Sequence, residues 1–147
     1  MNRKKIQILL ADDDMDDRRF FDDALKELPV LSQLTTVNDG EQLMQLLANE
    51  TLDLPHVIFL DINMPRKTGA ECLVEIKKQE RLKHLPVIMF STSNAADKIN
   101  MLFKTGAIVY IHKPGDFSQL KQVIYHALPI ATERTFSKNQ LKYIMNA

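Results

Sequence analysis

The most informative feature of this chain is a regular alternation of short apolar runs with longer amphipathic stretches. Each run is followed by a stretch whose apolar residues recur at helical spacing. The apolar runs are residues 6–11, 34–37, 56–60, 87–90 and 107–111. Parallel strands need a crossover connection, which is usually a helix. The pattern therefore predicts an α/β fold with a doubly wound, five-stranded parallel sheet.

Local signals predict how several of these elements begin and end. Pro29 follows the first helical pattern and is expected to stop that helix. Gly106 suits a left-handed helix cap, and Asp116 can cap the start of the last helix. The run 56–60 is the most continuous apolar segment, so we place it as a central strand covered on both faces.

The length of 147 residues indicates one compact domain, which we place at residues 5–128. Residues 129–147 then form a C-terminal tail that starts at Pro129. Within this tail, Ser137 and Gln140 have the spacing of a capping box ahead of three apolar residues, Leu141, Ile144 and Met145. We expect either a short extra helix here or a frayed terminus.

Composition indicates the cellular environment of the protein and the classes of partner that its charge does not favour. Nineteen Lys plus Arg balance nineteen Asp plus Glu, so the net charge does not indicate binding to nucleic acid or to an anionic membrane. The single cysteine, Cys72, cannot form an intramolecular disulfide, which favours a reducing cytoplasm. The apolar run near the N-terminus is too short for a signal core or a membrane span, so we expect a cytoplasmic protein.

Polar residues stand at or just after the ends of four of the predicted strands. Asp12, Asp13 and Asp14 follow the first strand, Asp61 the third, Ser91 the fourth and Lys113 the fifth. In open parallel sheets the functional groups lie beyond the carboxyl ends of the strands, so these side chains are expected at one edge. Seven acidic residues fall between positions 12 and 23. We expect those beyond the strand end to decorate the following helix rather than to face Asp61.

Carboxylates gathered at one edge need a counterion. Two of them about 4 Å apart repel by roughly 4 kcal/mol at an effective dielectric near 20. Oxygen ligands select a hard cation, and Mg²⁺ is the natural candidate, because it combines one or two carboxylates with phosphate oxygens. The four histidines are scattered and the cysteine is single, so zinc is not indicated.

Each of these residues also has a structural explanation. The aspartate trio suits a helix N-terminus, Asp61 and Ser91 can cap a turn or a helix, and Lys113 can be a solvated surface amine. Together, however, they supply a carboxylate nucleophile, a metal site, a hydroxyl donor and a fixed ammonium. That set is what a protein needs to accept and hold a phosphoryl group.

Four segments, in order along the chain, match one family. They are ILLADDD ending at Asp14, FLDINMP with Gly69 after it, MFST around Ser91, and the segment from Gly106 to Pro114 that contains Tyr110 and Lys113. Over roughly residues 5–128 the chain resembles the receiver domain of two-component response regulators. The resemblance implies a flavodoxin-like receiver fold with strand order 2-1-3-4-5.

The resemblance also assigns roles to individual residues. Asp61 would be the phosphoacceptor, with Mg²⁺ held by Asp13, Asp61 and the backbone carbonyl of Asn63, while Asp12 would act mainly through a metal-bound water. Lys113 would pair with the phosphoryl oxygens.

Ser91 and Tyr110 complete the implied site as its switch residues. Ser91 would donate a hydrogen bond to the phosphoryl group, and Tyr110 would be the switch aromatic, although it could equally be an ordinary strand aromatic. The peptide between Lys113 and Pro114 would be cis. Thr92 departs from the small residue usual at its position and is expected to restrict the access of attacking water, which would slow the loss of phosphate.

The function implied is a phosphorylation-dependent signalling switch rather than an enzyme. The partner would be a sensor histidine kinase or a phosphotransfer protein, and output would pass through protein contacts, with a possible homodimer formed through the tail. Three segments, Asp12–Arg18, Asn63–Lys67 and Ser91–Ser93, resemble the short stand-alone receivers found beside phytochrome-type sensor kinases.

Other classes of protein remain open at this point. A small Mg²⁺-dependent phosphohydrolase would need a second catalytic carboxylate two residues after Asp61, where Asn63 stands instead. A flavin carrier of the same topology is disfavoured because aspartates, which repel phosphate, occupy the loop after the first strand. A receiver that works by docking alone, without phosphorylation, is disfavoured by the complete residue set.

Overall fold

The alternating pattern folds into one parallel sheet with helices packed on both of its faces. The structure is a computed structural model that describes residues 5–133 and the backbone of residues 143–145. The strands are β1 (Ile6–Ala11), β2 (Ser32–Val37), β3 (Val57–Leu60), β4 (Val87–Ser91), β5 (Val109–His112) and β6 (Tyr143–Met145). They lie in the order β2-β1-β3-β4-β5-β6, and every neighbouring pair is parallel. The predicted order 2-1-3-4-5 is confirmed, with β6 added beside β5.

The described residues contain five helices. The first four connect successive strands from β1 to β5, and the fifth follows β5. They are α1 (Met15–Lys26), α2 (Gly40–Ala48), α3 (Gly69–Lys78), α4 (Ala96–Thr105) and α5 (Phe117–Glu133). None of these helices has both the length and the apolar character needed to cross a bilayer. Gly106 ends α4 with a φ of 130°, and the Asp116 carboxylate accepts a hydrogen bond from the Gln119 amide at the start of α5, as predicted.

The core consists of two apolar layers, one on each face of the sheet. Alternate residues of β3 enter opposite layers: Ile58 and Leu60 pack towards α2, α3 and α4, whereas Val57 and Phe59 pack towards α1 and α5. All four residues of β3 are buried. The prediction of a central strand covered on both faces is therefore confirmed, and the fold is doubly wound.

The C-terminal part of the chain differs from the sequence-based expectation. α5 continues through Pro129 to Glu133, because Leu128 and Ala131 extend its apolar face into the core and the missing proline N–H removes a single helical hydrogen bond. The capping box at Ser137 and Gln140 lies outside the described residues.

A strand stands where the tail was expected to contribute a helix. The expectation of helical structure at Ile144 and Met145 is wrong, since both lie in β6 and pair with β5. The physical reason is that the outer edge of β5 offers unpaired backbone donors and acceptors, which a parallel strand satisfies.

The strand register brings the predicted functional residues to the same edge of the sheet. Ala11 and Leu60 are paired as the last residues of β1 and β3, so the next residues, Asp12 and Asp61, leave the sheet side by side. Ser91, the last residue of β4, pairs with His112 of β5, and Lys113 follows at once. The carboxyl edge therefore gathers groups that are far apart in sequence.

Gly69 fixes the position of the loop that follows Asp61. Its amide donates a hydrogen bond of 2.8 Å to the Ile62 carbonyl, and a Cβ at this position would overlap the Asp61 carbonyl oxygen and lie 2.9 Å from Ile62 Cα. A side chain cannot be accommodated without moving the end of β3.

We therefore expect Gly69→Ala to lower the free energy of unfolding by about 1–3 kcal/mol, because the added methyl group overpacks the junction between β3 and α3. Gly115→Ala is the matched control, since a Cβ there would meet nothing within 4 Å. Urea unfolding followed by circular dichroism measures both variants. Equal stability of the two variants would contradict this account of the loop.

Candidate functional site

The loop from β1 to α1 carries the first part of the site. Asp12 is fully buried, and its Oδ1 accepts a hydrogen bond of 3.0 Å from the Asp14 amide. Asp14 is the N-cap of α1, and its carboxylate accepts hydrogen bonds from the amides of Asp16 and Asp17. Asp13 stands between them and is exposed. The helix-cap explanation therefore holds for Asp14 and does not account for Asp12 and Asp13.

Asp61 lies at the end of β3 and is held on its backbone side. Its amide donates a hydrogen bond of 3.0 Å to the Ala11 carbonyl, and its Oδ1 accepts one of 2.8 Å from the Ile62 amide. The residue is 5% exposed. Its carboxylate is thus fixed in position next to Asp12, with one oxygen, Oδ2, turned towards the site.

Lys113 joins the groups at this edge. Its Nζ lies 2.8 Å from Asp12 Oδ2, 2.9 Å from Asp17 Oδ2 and 3.2 Å from Asp61 Oδ2. The ammonium also lies 5.5 Å from the centroid of the Phe90 ring. With its side chain only 11% exposed, Lys113 is a desolvated cation among three carboxylates rather than a solvated surface amine.

The pKa shifts follow from this burial and this pairing. Burial acts to lower the pKa of the Lys113 ammonium, but its close contacts with the carboxylates of Asp12, Asp17 and Asp61 outweigh it and raise that pKa above its ordinary value. Burial raises the pKa of the Asp12 carboxyl to about 6, although the contacts with Lys113 and the Asp14 amide oppose the rise. Lys113 is therefore a permanent cation, and Asp12 is costly to ionise.

The carboxylates offer oxygen ligands for a cation. One oxygen from each of Asp12, Asp13 and Asp61 lies within 4.8 Å of the other two. Asp12 Oδ2 is buried and, although paired with Lys113 by charge, accepts no hydrogen bond. A buried acceptor without a donor, in a set of hard oxygen ligands, fits a divalent cation such as Mg²⁺. Asn63, whose carbonyl was the other predicted ligand, is exposed two residues after Asp61.

The two predicted switch residues meet a common neighbour. Ser91 is 1% exposed, and its Oγ accepts a hydrogen bond of 3.4 Å from the Ser93 amide. Tyr110 is also 1% exposed, and its hydroxyl donates a hydrogen bond of 2.7 Å to the Ser93 carbonyl. Burial raises the pKa of the Tyr110 hydroxyl, and its contacts with Ser91 and Ser93 oppose the rise.

Two expectations about this edge are wrong. The residues described contain no cis peptide bond, so the peptide before Pro114 is trans, the form that ordinary X-Pro bonds favour by about 0.5–1 kcal/mol. Asp17 does not merely decorate α1, because it pairs with Lys113. The first turn of α1 begins directly above the sheet edge, so its third residue reaches the same ammonium as Asp61.

Sequence reasoning also missed the contact of Arg18, whose Nη1 donates a hydrogen bond of 2.7 Å to the Asp12 carbonyl. This bond ties α1 to the loop that presents Asp12 and Asp13. A basic residue in the first turn of a helix is a weak signal, because most such side chains are solvated.

A sheet of this order, with clustered aspartates and a lysine at its carboxyl edge, defines the receiver class of signalling domain. The family model described as "Response regulator receiver domain" matches residues 8–125. The chain therefore belongs to the response regulator receiver domain family.

Similar proteins agree with this assignment. The probable C4-dicarboxylate response regulator DctR of Bacillus subtilis is 30% identical over 99% of this chain, which spans 64% of the length of DctR. The response regulator Rcp1 of Synechocystis is 31% identical over 80% of the chain and 82% of its own length.

Solved structures give the same result. The phosphorylated cyanobacterial phytochrome response regulator RcpA is 32% identical, with a TM-score of 0.81 over 91% of this chain and 98% of its own. The Mn²⁺-bound form of Rcp1 is 28% identical, with a TM-score of 0.78 over 88% of this chain and 96% of its own.

Burial of Asp12 predicts that ionisation of this carboxyl lowers the free energy of unfolding of the metal-free protein. Because its folded pKa of about 6 exceeds the ordinary value of 3.8, its contribution to stability is complete below pH 3.8 and is lost as the pH rises through about 6. In chelator, we expect Asp12→Asn to be more stable than wild type near pH 7.5, by about 1–3 kcal/mol, and this advantage to shrink towards pH 4.5.

Urea unfolding at the two pH values measures the effect. Asp16→Asn removes one charge from the exposed side of the same loop and helix junction and serves as the control. A pH-independent difference between Asp12→Asn and wild type would contradict the burial argument.

Proposed function

We propose that this protein is a phosphorylation-dependent switch of a two-component system that accepts a phosphoryl group on Asp61. The observation that carries the proposal is the ion pair between Asp61 and Lys113 beside the Asp12 and Asp13 carboxylates. Asp61 supplies the nucleophilic oxygen, and the other groups offset the charge that a phosphoryl group brings. The similarity to RcpA, whose structure is described as phosphorylated, supports the same role.

The chemical step is a transfer to a carboxylate. A bond forms between Asp61 Oδ2 and phosphorus, and the phosphorus–nitrogen bond of a phosphohistidine donor breaks. The electron pair stays on the imidazole nitrogen, which takes up a proton. The Ile62 amide holds Asp61 Oδ1, so the other oxygen is the one presented for attack. Lys113 Nζ lies 3.2 Å from that oxygen, which supports the role proposed for it, contact with the incoming phosphoryl oxygens.

Asp12, Asp13 and Asp61 would hold Mg²⁺, with the carbonyl of Asn63 as a further ligand. The ion would neutralise the charge between the attacking carboxylate and the phosphoryl oxygens. The similarity to an Mn²⁺-bound form of Rcp1 supports a divalent cation here.

The switch would work through Ser91 and Tyr110. Ser91 Oγ is placed at the end of β4, where it can turn from the Ser93 amide towards a phosphoryl oxygen. Tyr110 bonds the carbonyl of the same Ser93, so a shift of this segment changes both contacts together. Phosphorylation would thereby shift the conformational equilibrium of the surface formed by the loop after β4 and its neighbours.

The phosphodonor would be a sensor histidine kinase or a phosphotransfer protein in the cytoplasm, and the similarity to RcpA favours a phytochrome-type kinase. Output would pass through protein contacts, without direct binding to nucleic acid or membranes. A homodimer formed through residues 129–147 is part of the proposal, because β6 lies at the sheet edge, where further strands can pair.

Incubation with phosphoramidate and Mg²⁺, followed by intact mass measurement, tests the proposal. We expect the protein to gain one phosphoryl group, and Asp61→Asn and a chelator each to reduce the gain at least about tenfold, because the nucleophile or its counterion is lost. Asp53→Asn is the control, since Asp53 is exposed and precedes β3 rather than following it.

The same measurement separates the alternatives. Multiple turnovers without accumulation of a phosphorylated chain would favour a phosphohydrolase. Neither a mass gain nor turnover would favour a docking module and would contradict the switch.

Thr92 is exposed immediately after Ser91, where its methyl group can restrict water at the phosphoryl group. We expect Thr92→Ala to lose phosphate roughly two- to fivefold faster than wild type in Mg²⁺, a change of about 0.4–1 kcal/mol in the barrier. Thr92→Val keeps the bulk without the hydroxyl and is expected to resemble wild type. Equal lifetimes of the wild-type and Thr92→Ala phosphoproteins would remove this explanation.

A further inference from the structure

The ammonium of Lys113 is already surrounded by carboxylates before any phosphoryl group binds. Its Nζ donates hydrogen bonds to Asp17 Oδ2 and Asp61 Oδ2 and lies 2.8 Å from Asp12 Oδ2, so three carboxylate oxygens stand within 3.2 Å of the one cation. A phosphoryl oxygen that binds Lys113 must therefore displace or weaken one of these contacts. We propose that Asp17 is a positioning residue that competes with the phosphoryl group for Lys113, an inference that rests on the proposed function.

The start of α1 directs Asp17 to this place. The Asp14 carboxylate caps the amides of Asp16 and Asp17, which fixes the first turn of the helix above the sheet edge. Asp17 Oδ2 then accepts a hydrogen bond of 2.9 Å from Lys113 Nζ, shorter than the 3.2 Å contact of Asp61. In the absence of a phosphoryl group, the ammonium is therefore shared between the acceptor and α1.

Of the three carboxylates, Asp17 can leave Lys113 at the lowest cost. The Asp12 side chain has no exposed surface, so losing the ammonium would leave a buried charge uncompensated. The Asp17 side chain is 39% exposed, so water can replace the lost hydrogen bond. Asp17 also lies outside the cluster of Asp12, Asp13 and Asp61 that would hold the cation.

The direction of the effect follows from charge. The phosphodonor and the phosphoryl group are anionic. Asp17 accepts a hydrogen bond from the Lys113 ammonium and adds a negative charge beside it, and both effects weaken the attraction of Lys113 for a phosphoryl oxygen. Replacing Asp17 with a neutral amide should leave the ammonium freer to bind phosphoryl oxygens. Asp17 therefore opposes phosphorylation, and loading of Asp61 loosens the contact between Lys113 and the first turn of α1.

The test compares Asp17→Asn with Asp16→Asn in the full chain. Both variants remove one charge from the first turn of α1, but Asp16 is exposed and is not among the residues within 4.0 Å of Lys113 Nζ. We expect Asp17→Asn to bind beryllofluoride with Mg²⁺ about two- to fivefold more tightly than Asp16→Asn. We expect a similar increase in the rate of phosphorylation by phosphoramidate. Both effects are modest because water partly solvates the Asp17 side chain.

Two further measurements separate this role from a purely structural one. In metal-free protein, reductive methylation of Lys113 should be faster in Asp17→Asn than in Asp16→Asn, because one contact that shields the amine is gone. Asp17→Glu, which keeps the charge, should restore behaviour close to wild type in all three assays.

The outcomes are distinct. Equal or weaker beryllofluoride affinity in Asp17→Asn than in Asp16→Asn, with wild type phosphorylated normally, overturns the competition. Unchanged methylation of Lys113 also overturns it, because Asp17 would then not hold the ammonium. Failure of the wild-type protein itself to take up phosphate would instead overturn the proposed function.

Discussion

The interaction on which the site depends is the burial of one ammonium among carboxylates that would otherwise repel one another. Lys113 lies within 3.2 Å of oxygens from Asp12, Asp17 and Asp61, two of which belong to nearly inaccessible residues. Without that cation, two buried carboxylates side by side would be driven to bind protons. The pairing therefore offsets the negative charge gathered at this edge of the sheet, and it makes the charge on Lys113 part of both the stability of the site and the chemistry proposed for it.

The parallel sheet explains how such a cluster arises from distant parts of the chain. Register pairs the last residues of β1 and β3, and those of β4 and β5, so each following residue leaves the sheet at the same edge. Crossover helices then cover both faces and force the polar groups to the rim. The close approach of Gly69 to the Asp61 carbonyl extends this control to the loop after β3.

Features set by local pattern were predictable from the sequence, and features set by packing were not. The doubly wound parallel sheet and the meeting of Asp12, Asp61 and Lys113 follow from apolar runs and strand ends, whereas the strand order was implied by the family resemblance. The contact of Asp17 with Lys113 depends on how α1 is turned over a residue 96 positions away. The helix through Pro129 depends on burial of Ala131, and β6 depends on the free edge of β5. The metal, kinase and switch roles remain predictions.

A crystal structure of the protein with Mg²⁺ and beryllofluoride most directly tests the claim that Asp61 accepts a phosphoryl group beside Lys113. The account predicts beryllium bonded to an Asp61 oxygen, Mg²⁺ bound by oxygens of Asp13 and Asp61, and Lys113 Nζ in contact with a fluoride. Beryllofluoride bound elsewhere, or Lys113 turned away from an occupied Asp61, would contradict it.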